Sequence, residues 1–361
     1  MNDKQELAEE AATFEQEDSQ EAIPPAEIVA YNELRSCADL VRMHGTGKLE
    51  LQPDFQREVV WKNDEQSRFI DSLVKQLPIP SMCFSLDYKL GRWKVIDGLQ
   101  RMSSIIRFLS TPEWKLSDLP DIHPRLRKAK NSELRGGDDE QRQLFARVED
   151  VSIPVTVIRC DYSKKSHMLY LFTIFHRLNS GGVRLTNQEI RNGLYSGSFN
   201  DALKQFDQDN ADWRLVKKRI WGSMDRYRSV EVLLRVLAFG EKKAAYDGNL
   251  SRFLNEYMHG KTENHSDGVG PGDLSETLAV VVARARHALA AEHARKLPLL
   301  VVEALLVALF VHRNATMTPD ELKAGYANMQ ARPSFAAGAR YAVSSVENVR
   351  NRLDAASDAF A

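Results

Sequence analysis

The run Trp93-Lys94-Val95-Ile96-Asp97-Gly98-Leu99-Gln100-Arg101 constrains this chain more than any other stretch. A short β-rich segment is broken by Asp-Gly, and Leu99, Ile105, Ile106 and Leu109 then recur at helical spacing. A strand therefore feeds straight into a helix, with Asp97 expected as the N-cap and Gln100 and Arg101 in the first turn. The first turn of a helix carries unpaired backbone N–H groups and a partial positive charge, which suit a phosphate or another anion. An arginine there adds a bidentate donor. An ordinary junction whose Arg101 is solvated or paired with a nearby acid satisfies the same pattern, so spacing alone leaves both readings open.

The residues upstream predict how the chain approaches this junction. Leu49-Glu50-Leu51 begins an extended lead-in to a second Gln-Arg pair, Gln56-Arg57, followed by Trp61. Asn63 is expected to cap a helix over 64–77 with Phe69, Ile70, Leu73, Val74 and Leu77 on one face, and Pro78 ends it. Residues 81–86 read as a strand and 88–91 as the turn back to Trp93. Further upstream, Leu34, Cys37, Leu40 and Val41 predict a short helix over 32–43.

Downstream, 114–149 interleaves arginines and lysines with acids and is expected to be a solvated helical face. Residues 151–160 predict a strand, and Pro154 argues for an edge or a bulge. A helix over 164–178 carries Met168, Leu171, Phe172 and Phe175 and is ended by Asn179 and Gly181-Gly182. Thr186-x-x-Glu189 is a capping box, a structural role sufficient for both side chains. From Asp212 onward the pattern is helical, with segments at 229–239, 275–296, 298–313, 319–331 and 343–360.

Composition narrows the function classes. The chain has 361 residues and 43% hydrophobic content, enough for two packed units, and its apolar runs are too short to cross a bilayer. The acidic start is expected to be neither secretory signal nor transit peptide, and three widely spaced cysteines without a Cys-x-x-Cys pair point to reduced thiols, so a cytoplasmic location is expected. Residues 1–30 hold nine acids against Lys4, a net charge of −8 within a total of −1, so the remainder carries +7. A mildly basic body is compatible with phosphates without specifying them. No Gly-x4-Gly-Lys-Ser/Thr loop and no His-Glu-x-x-His helix occurs.

Three ordered blocks carry a resemblance: Pro53-Asp54-Phe55-Gln56-Arg57 with Trp61, the stretch 71–80 ending Leu77-Pro78-Ile79-Pro80, and Val95-Ile96-Asp97-Gly98-Leu99-Gln100-Arg101. Together they resemble the signature of the domain at the N-terminus of GmrSD-type modification-dependent restriction systems and related phage-defence proteins. Phe175-His176-Arg177-Leu178-Asn179-Ser180-Gly181-Gly182 and 185–191 extend the likeness, which runs over 49–202. The family motif is Asp-Gly-Gln-Gln-Arg, so Leu99 departs at the third position and any contact made by that glutamine does not carry over.

The resemblance implies an α+β fold, with a ParB/sulfiredoxin-like domain over 31–211 lying between a disordered acidic tail (1–30) and an α-helical domain (212–361). It implies a defence-associated nucleotide-binding protein, a nucleoside triphosphate hydrolase or sensor coupled to DNA recognition or a partner nuclease. By that analogy Asp97 orients an attacking or metal-bound water, Mg²⁺ accompanies the nucleotide, and Glu189 is the second catalytic candidate. Arg57 and Arg101 bind phosphates, while Gln56, Gly98, Gln100 and Asn179 line the nucleotide. DNA, a separately encoded nuclease or other defence protein, and further copies of the chain are the partners it leaves open. A DNA-binding or nicking protein gripping backbone phosphates with the same arginines stays open, as does a non-enzymatic interaction partner. The histidine-led ββα nuclease that often follows such domains is not found after Asp212.

Overall fold

The computed structural model describes residues 25–51, 61–178, 185–220, 227–263, 268–291, 296–339 and 342–361. They form two compact units, 23–184 and 185–361, a division closer to the N-terminus than the 211/212 boundary expected from the sequence.

The first unit is α+β. Its five strands are β1 (Val29–Ser36), β2 (Leu49–Glu50), β3 (Met82–Asp87), β4 (Arg92–Asp97) and β5 (Ser152–Cys160), in the order β1-β5-β3-β4-β2. β1 is antiparallel to β5, β5 parallel to β3, β3 antiparallel to β4, and β4 parallel to β2. Helices α1 (Cys37–Gly45), α2 (Asn63–Val74) and α3 (Leu99–Ser110) bury Leu40, Ile70, Leu73, Met102 and Ile105 in one core with Met82, Phe84, Trp93, Val95, Val155 and Val157. Those strand residues alternate, as one buried face of a pleated sheet requires. The other face buries Cys83, Ser85, Asp87, Lys94, Ile158 and Cys160, and α6 (Lys165–Leu178) packs against β4.

Four expectations change. The predicted helix over 32–43 is half strand: β1 runs to Ser36, whose hydroxyl accepts the Asp39 N–H at 3.2 Å and so starts α1 at Cys37. Leu34, assigned to that helix's apolar face, is 71% exposed. Pro154 stands in an interior strand, not at an edge or bulge. β5 lies between β1 and β3, but the β3 pairing begins only at Met82 opposite Val155, so no ladder bond is needed from the nitrogen of Pro154. The charged insert is more than a solvated face. Its helices α4 (Asn131–Gly136) and α5 (Asp139–Asp150) bury Leu134, Leu144, Phe145 and Val148 in the same core, together with Trp114 and Leu126. Asn63 serves that insert instead of capping α2: its side chain accepts from Trp114 Nε1 at 2.6 Å and donates to Ser117 Oγ at 2.8 Å.

The second unit is helical: α7 (Asn187–Leu194), α8 (Ser198–Asp209), α9 (Ala211–Lys218), α10 (Arg228–Lys242), α11 (Leu250–Glu263), α12 (Pro271–Ala288), α13 (Leu299–Val311), α14 (Pro319–Ala331), α15 (Pro333–Gly338) and α16 (Val346–Ser357). α13 is apolar on every side but for Glu303, and it packs against α10, α12 and α16 as a central helix must. Glu303, 1% exposed, receives Arg235 of α10 at 2.9 Å and Arg352 of α16 at 3.5 Å. Among the described residues no helix is long and apolar enough to cross a membrane.

Candidate functional site

The predicted strand–turn–helix junction is present, but its cap differs. Gly98, not Asp97, occupies the N-cap position of α3, at φ +97° and ψ +16°, with no side-chain cap. A left-handed backbone disfavours any residue with a Cβ. Gly98 also has no room for one, since an added Cβ would lie 2.6 Å from Cγ of Met82. The glycine therefore lets the start of α3 lie directly on the beginning of β3.

A β-bulge sets the direction of Asp97. β3 and β4 pair as Ser85 with Lys94 and Phe84 with Val95, then shift to Cys83 with Asp97, which leaves Ile96 as the extra residue. The shift puts Asp97 on the sheet face that carries Cys83, Ser85 and Lys94. Released from capping, the Asp97 carboxylate pairs with Arg101 one helical turn on, Oδ2 to Nη2 at 2.8 Å. Nη1 of Arg101 donates to the carbonyl of Pro80 and, at 3.4 Å, to that of Ser81. The guanidinium is thus clamped between the acid and the chain entering β3, with 13% of its side chain exposed against 40% for Asp97. In the same turn Gln100 Oε1 and Ser103 Oγ are buried without a hydrogen-bond partner. A half-exposed carboxylate beside a fixed cation and unmet polar atoms can bind or polarise a polar ligand.

A cluster that the sequence did not single out lies on the same sheet face. The Lys94 ammonium is buried over the Tyr162 ring, 5.3 Å from its centroid, and 3.8 Å from Glu50 Oε2. The Tyr162 hydroxyl shares a 2.5 Å hydrogen bond with Ser85 Oγ. Burial lowers the lysine pKa and raises that of the tyrosine. The Lys-Val-Ile alternation at 94–96 was the available signal, but a lysine at an inward position reads as an error in a strand pattern until its partners are known. Glu50 ends β2 opposite Lys94 in parallel register, so the chain bearing Gln56-Arg57 follows a strand pointing the same way as β4 and its Asp97 junction.

Gln56, Arg57 and Asn179 lie outside the described residues. Glu189 belongs to the helical unit, 5% exposed. Its carboxylate accepts the Thr186 N–H at 2.6 Å while the Thr186 hydroxyl accepts the Glu189 N–H at 3.2 Å, the reciprocal capping box expected. Its neighbours Gln188, Arg191 and Asn192 are 0–2% exposed, and Arg191 pairs with Glu231 of α10 at 2.6 Å. Among the described residues no three His, Cys, Asp or Glu side chains converge as a dedicated metal site would require. A Mg²⁺ carried by a triphosphate needs only one or two carboxylates, and Asp97, with one oxygen on Arg101, fits that role.

No curated protein and no solved structure matches this chain. A family model does: residues 38–196 match the GmrSD restriction endonuclease, N-terminal domain. The match includes the bulged Asp97-Gly98 junction and continues past 184/185 through α7. Over residues 38–196 the chain is thus similar to the GmrSD N-terminal domain, in line with the motifs read from the sequence.

Proposed function

We propose that this chain is a defence-associated nucleotide sensor of restriction type, in which the Asp97–Arg101 junction of a ParB/sulfiredoxin-like domain binds the phosphates of a nucleoside triphosphate. The observation that carries this is the left-handed Gly98, held against Met82, which brings the amide-rich first turn of α3 and the clamped Arg101 to the end of β4 beside a half-exposed acid. Asp97 is the group to orient water, and Arg101 holds it in place. When bound, Mg²⁺ would neutralise phosphate charge, and Asp97 would be its protein contact. Glu189 supports α7 through its capping box and is the second catalytic candidate. Phosphate release from all four triphosphates, with and without DNA, tests the proposal. No binding and no release with any of them would refute it.

One observation favours the non-enzymatic alternative: the terminal nitrogens of Arg101 already hydrogen-bond within the chain, so a phosphate must share or displace the Asp97 pair. The DNA-gripping alternative is separated by salt. If Arg57 and Arg101 grip DNA directly, replacing both lowers the slope of log affinity against log salt by about one unit per lost contact. If they hold nucleotide, DNA affinity without nucleotide is unchanged. The protein alone is expected to leave plasmid uncut with each nucleotide and Mg²⁺ or Mn²⁺, and nicking that vanishes in Asp97→Ala would move the function to the nicking class.

A further inference from the structure

The sheet has one long open edge. Among the described residues β1 pairs with β5 alone, along all eight of its residues, and Val29, Tyr31 and Leu34 are 47%, 37% and 71% exposed. The Cys37 N–H, next in register after Ser36, donates to the Val151 carbonyl at 3.2 Å. Alternate residues of an antiparallel ladder bond to the same neighbour, so Val29, Tyr31, Glu33 and Arg35 bond β5. Ala30, Asn32, Leu34 and Ser36 then turn their N–H and C=O groups to the open side. Edge strands with unspent backbone groups are templates for another strand.

We propose that this edge pairs with β1 of a second copy of the chain, antiparallel, with Leu34 facing Leu34 of the partner subunit. Two-fold pairing joins outward residues to outward residues about any residue of the strand, and an axis through Tyr31, Glu33 or Arg35 sets Leu34 against Ile28, Asn32 or Ser36 of the partner subunit and not against its own copy. About Ala30, Glu33 meets the partner's Glu27, and like charges face each other twice. About Asn32, Glu33 meets the partner's Tyr31 and Arg35 the partner's Val29, with no charge matched. About Leu34, Glu33 meets the partner's Arg35 and Arg35 the partner's Glu33, and the most exposed leucine of the strand is covered by its own copy. Glu33 and Arg35 are one-quarter exposed and already paired at 2.7 Å on one face of β1, so the two pairs merge into a four-membered network. Five paired residues bury less than the roughly 1,200 Å² of a stable interface, so the dimer is concentration-dependent unless other surfaces join.

The test is sedimentation of the full chain over roughly 1–200 µM, the range a weak interface occupies. A reversible monomer–dimer equilibrium is expected, with Kd raised at least about tenfold by Leu34→Lys, a change at an exposed position that leaves the melting temperature unmoved. Leu34→Cys is expected to give a disulfide-linked dimer on mild oxidation, whereas the native protein does not. Cys37, Cys83 and Cys160 are buried, and burial pushes their thiols up to about 12. A monomer at every concentration, an edge capped by residues 1–24 and freed only by their removal, or a dimer indifferent to Leu34→Lys would each overturn the proposal. Linkage through Asn32→Cys in place of Leu34→Cys would overturn the register.

Discussion

The two units treat charge in opposite ways. In the helical unit, Arg191, Arg235, Glu303 and Arg352 are all under 5% exposed and join Glu231 in one buried network spanning α7, α10, α13 and α16. In the sheet unit, the Asp97–Arg101 pair is left partly open, with unmet polar atoms on Gln100 and Ser103 behind it. Desolvated charges survive only when paired, and this network gives each of its buried charges an opposite one, although Nε of Arg352 has no partner of its own. A carboxylate kept at the surface by a bulge and a glycine costs local order without packing in return, as functional sites do. The contrast teaches that burial separates the acids that hold the helical unit together from the partly open carboxylate proposed above to act.

The contrast breaks first at Glu303. Glu303→Ala leaves Arg352 buried without a carboxylate and Arg235 sharing Glu231 with Arg191, and a loss of about 4 kcal/mol is expected in chemical denaturation of the helical unit. A loss below about 1 kcal/mol would mean the network is solvated after all. Next is Gly98→Ala, which combines a left-handed backbone with a close approach to Met82. About 3 kcal/mol of the sheet unit's stability is expected to go, and Gly98→Asn, which tolerates positive φ but not the contact, should recover little. Arg101→Ala is expected to weaken triphosphate binding by about 2 kcal/mol in calorimetric titration, and unchanged affinity would remove Arg101 from the site.

The smallest expected effect is one of pH, and it sharpens the same contrast within the sheet unit. Asp161 is fully buried. Burial raises its carboxyl, but the hydrogen bonds from Lys89 and Ser163 outweigh it and hold the pKa at about 2. Because the folded value lies below the unfolded one, the stabilisation is complete above pH 4 and is lost as pH falls toward 2, by up to about 2 kcal/mol. Asp161→Asn should flatten that part of the stability profile. A profile identical to that of the native protein would contradict the assignment.

Local chemistry was legible in the sequence, and long-range pairing was not. β4, α3 and the Thr186–Glu189 box could be read because their signals, an Asp-Gly break, helical spacing and a Thr-x-x-Glu, lie within a few residues. The second such box, Thr318 with Glu321, opens α14 for the same reason. β1 was missed because Leu34, Cys37 and Leu40 fit a helical period that the strand's end at Ser36 divides. Asp97 was misassigned as a cap because the bulge depends on the register of β3, which no local pattern reveals. Lys94 went unnoticed since its partners, Glu50 and Tyr162, come from 44 residues before and 68 after it. The Asp97–Arg101 pair, by contrast, was implied as the paired alternative for Arg101, and the i,i+4 spacing was its signal.

The central claim, that the Asp97 junction is a nucleotide site and not only a turn, is tested most directly by Asp97→Asn. The carboxylate it neutralises is 40% exposed and Arg101 keeps its bonds to the Pro80 and Ser81 carbonyls, so the cost in stability should stay under about 1 kcal/mol. Phosphate release by the native protein with at least one triphosphate is expected, together with its loss in Asp97→Asn at unchanged melting temperature. Native release that persists in Asp97→Asn, or no binding of any triphosphate by the native chain, would contradict the account.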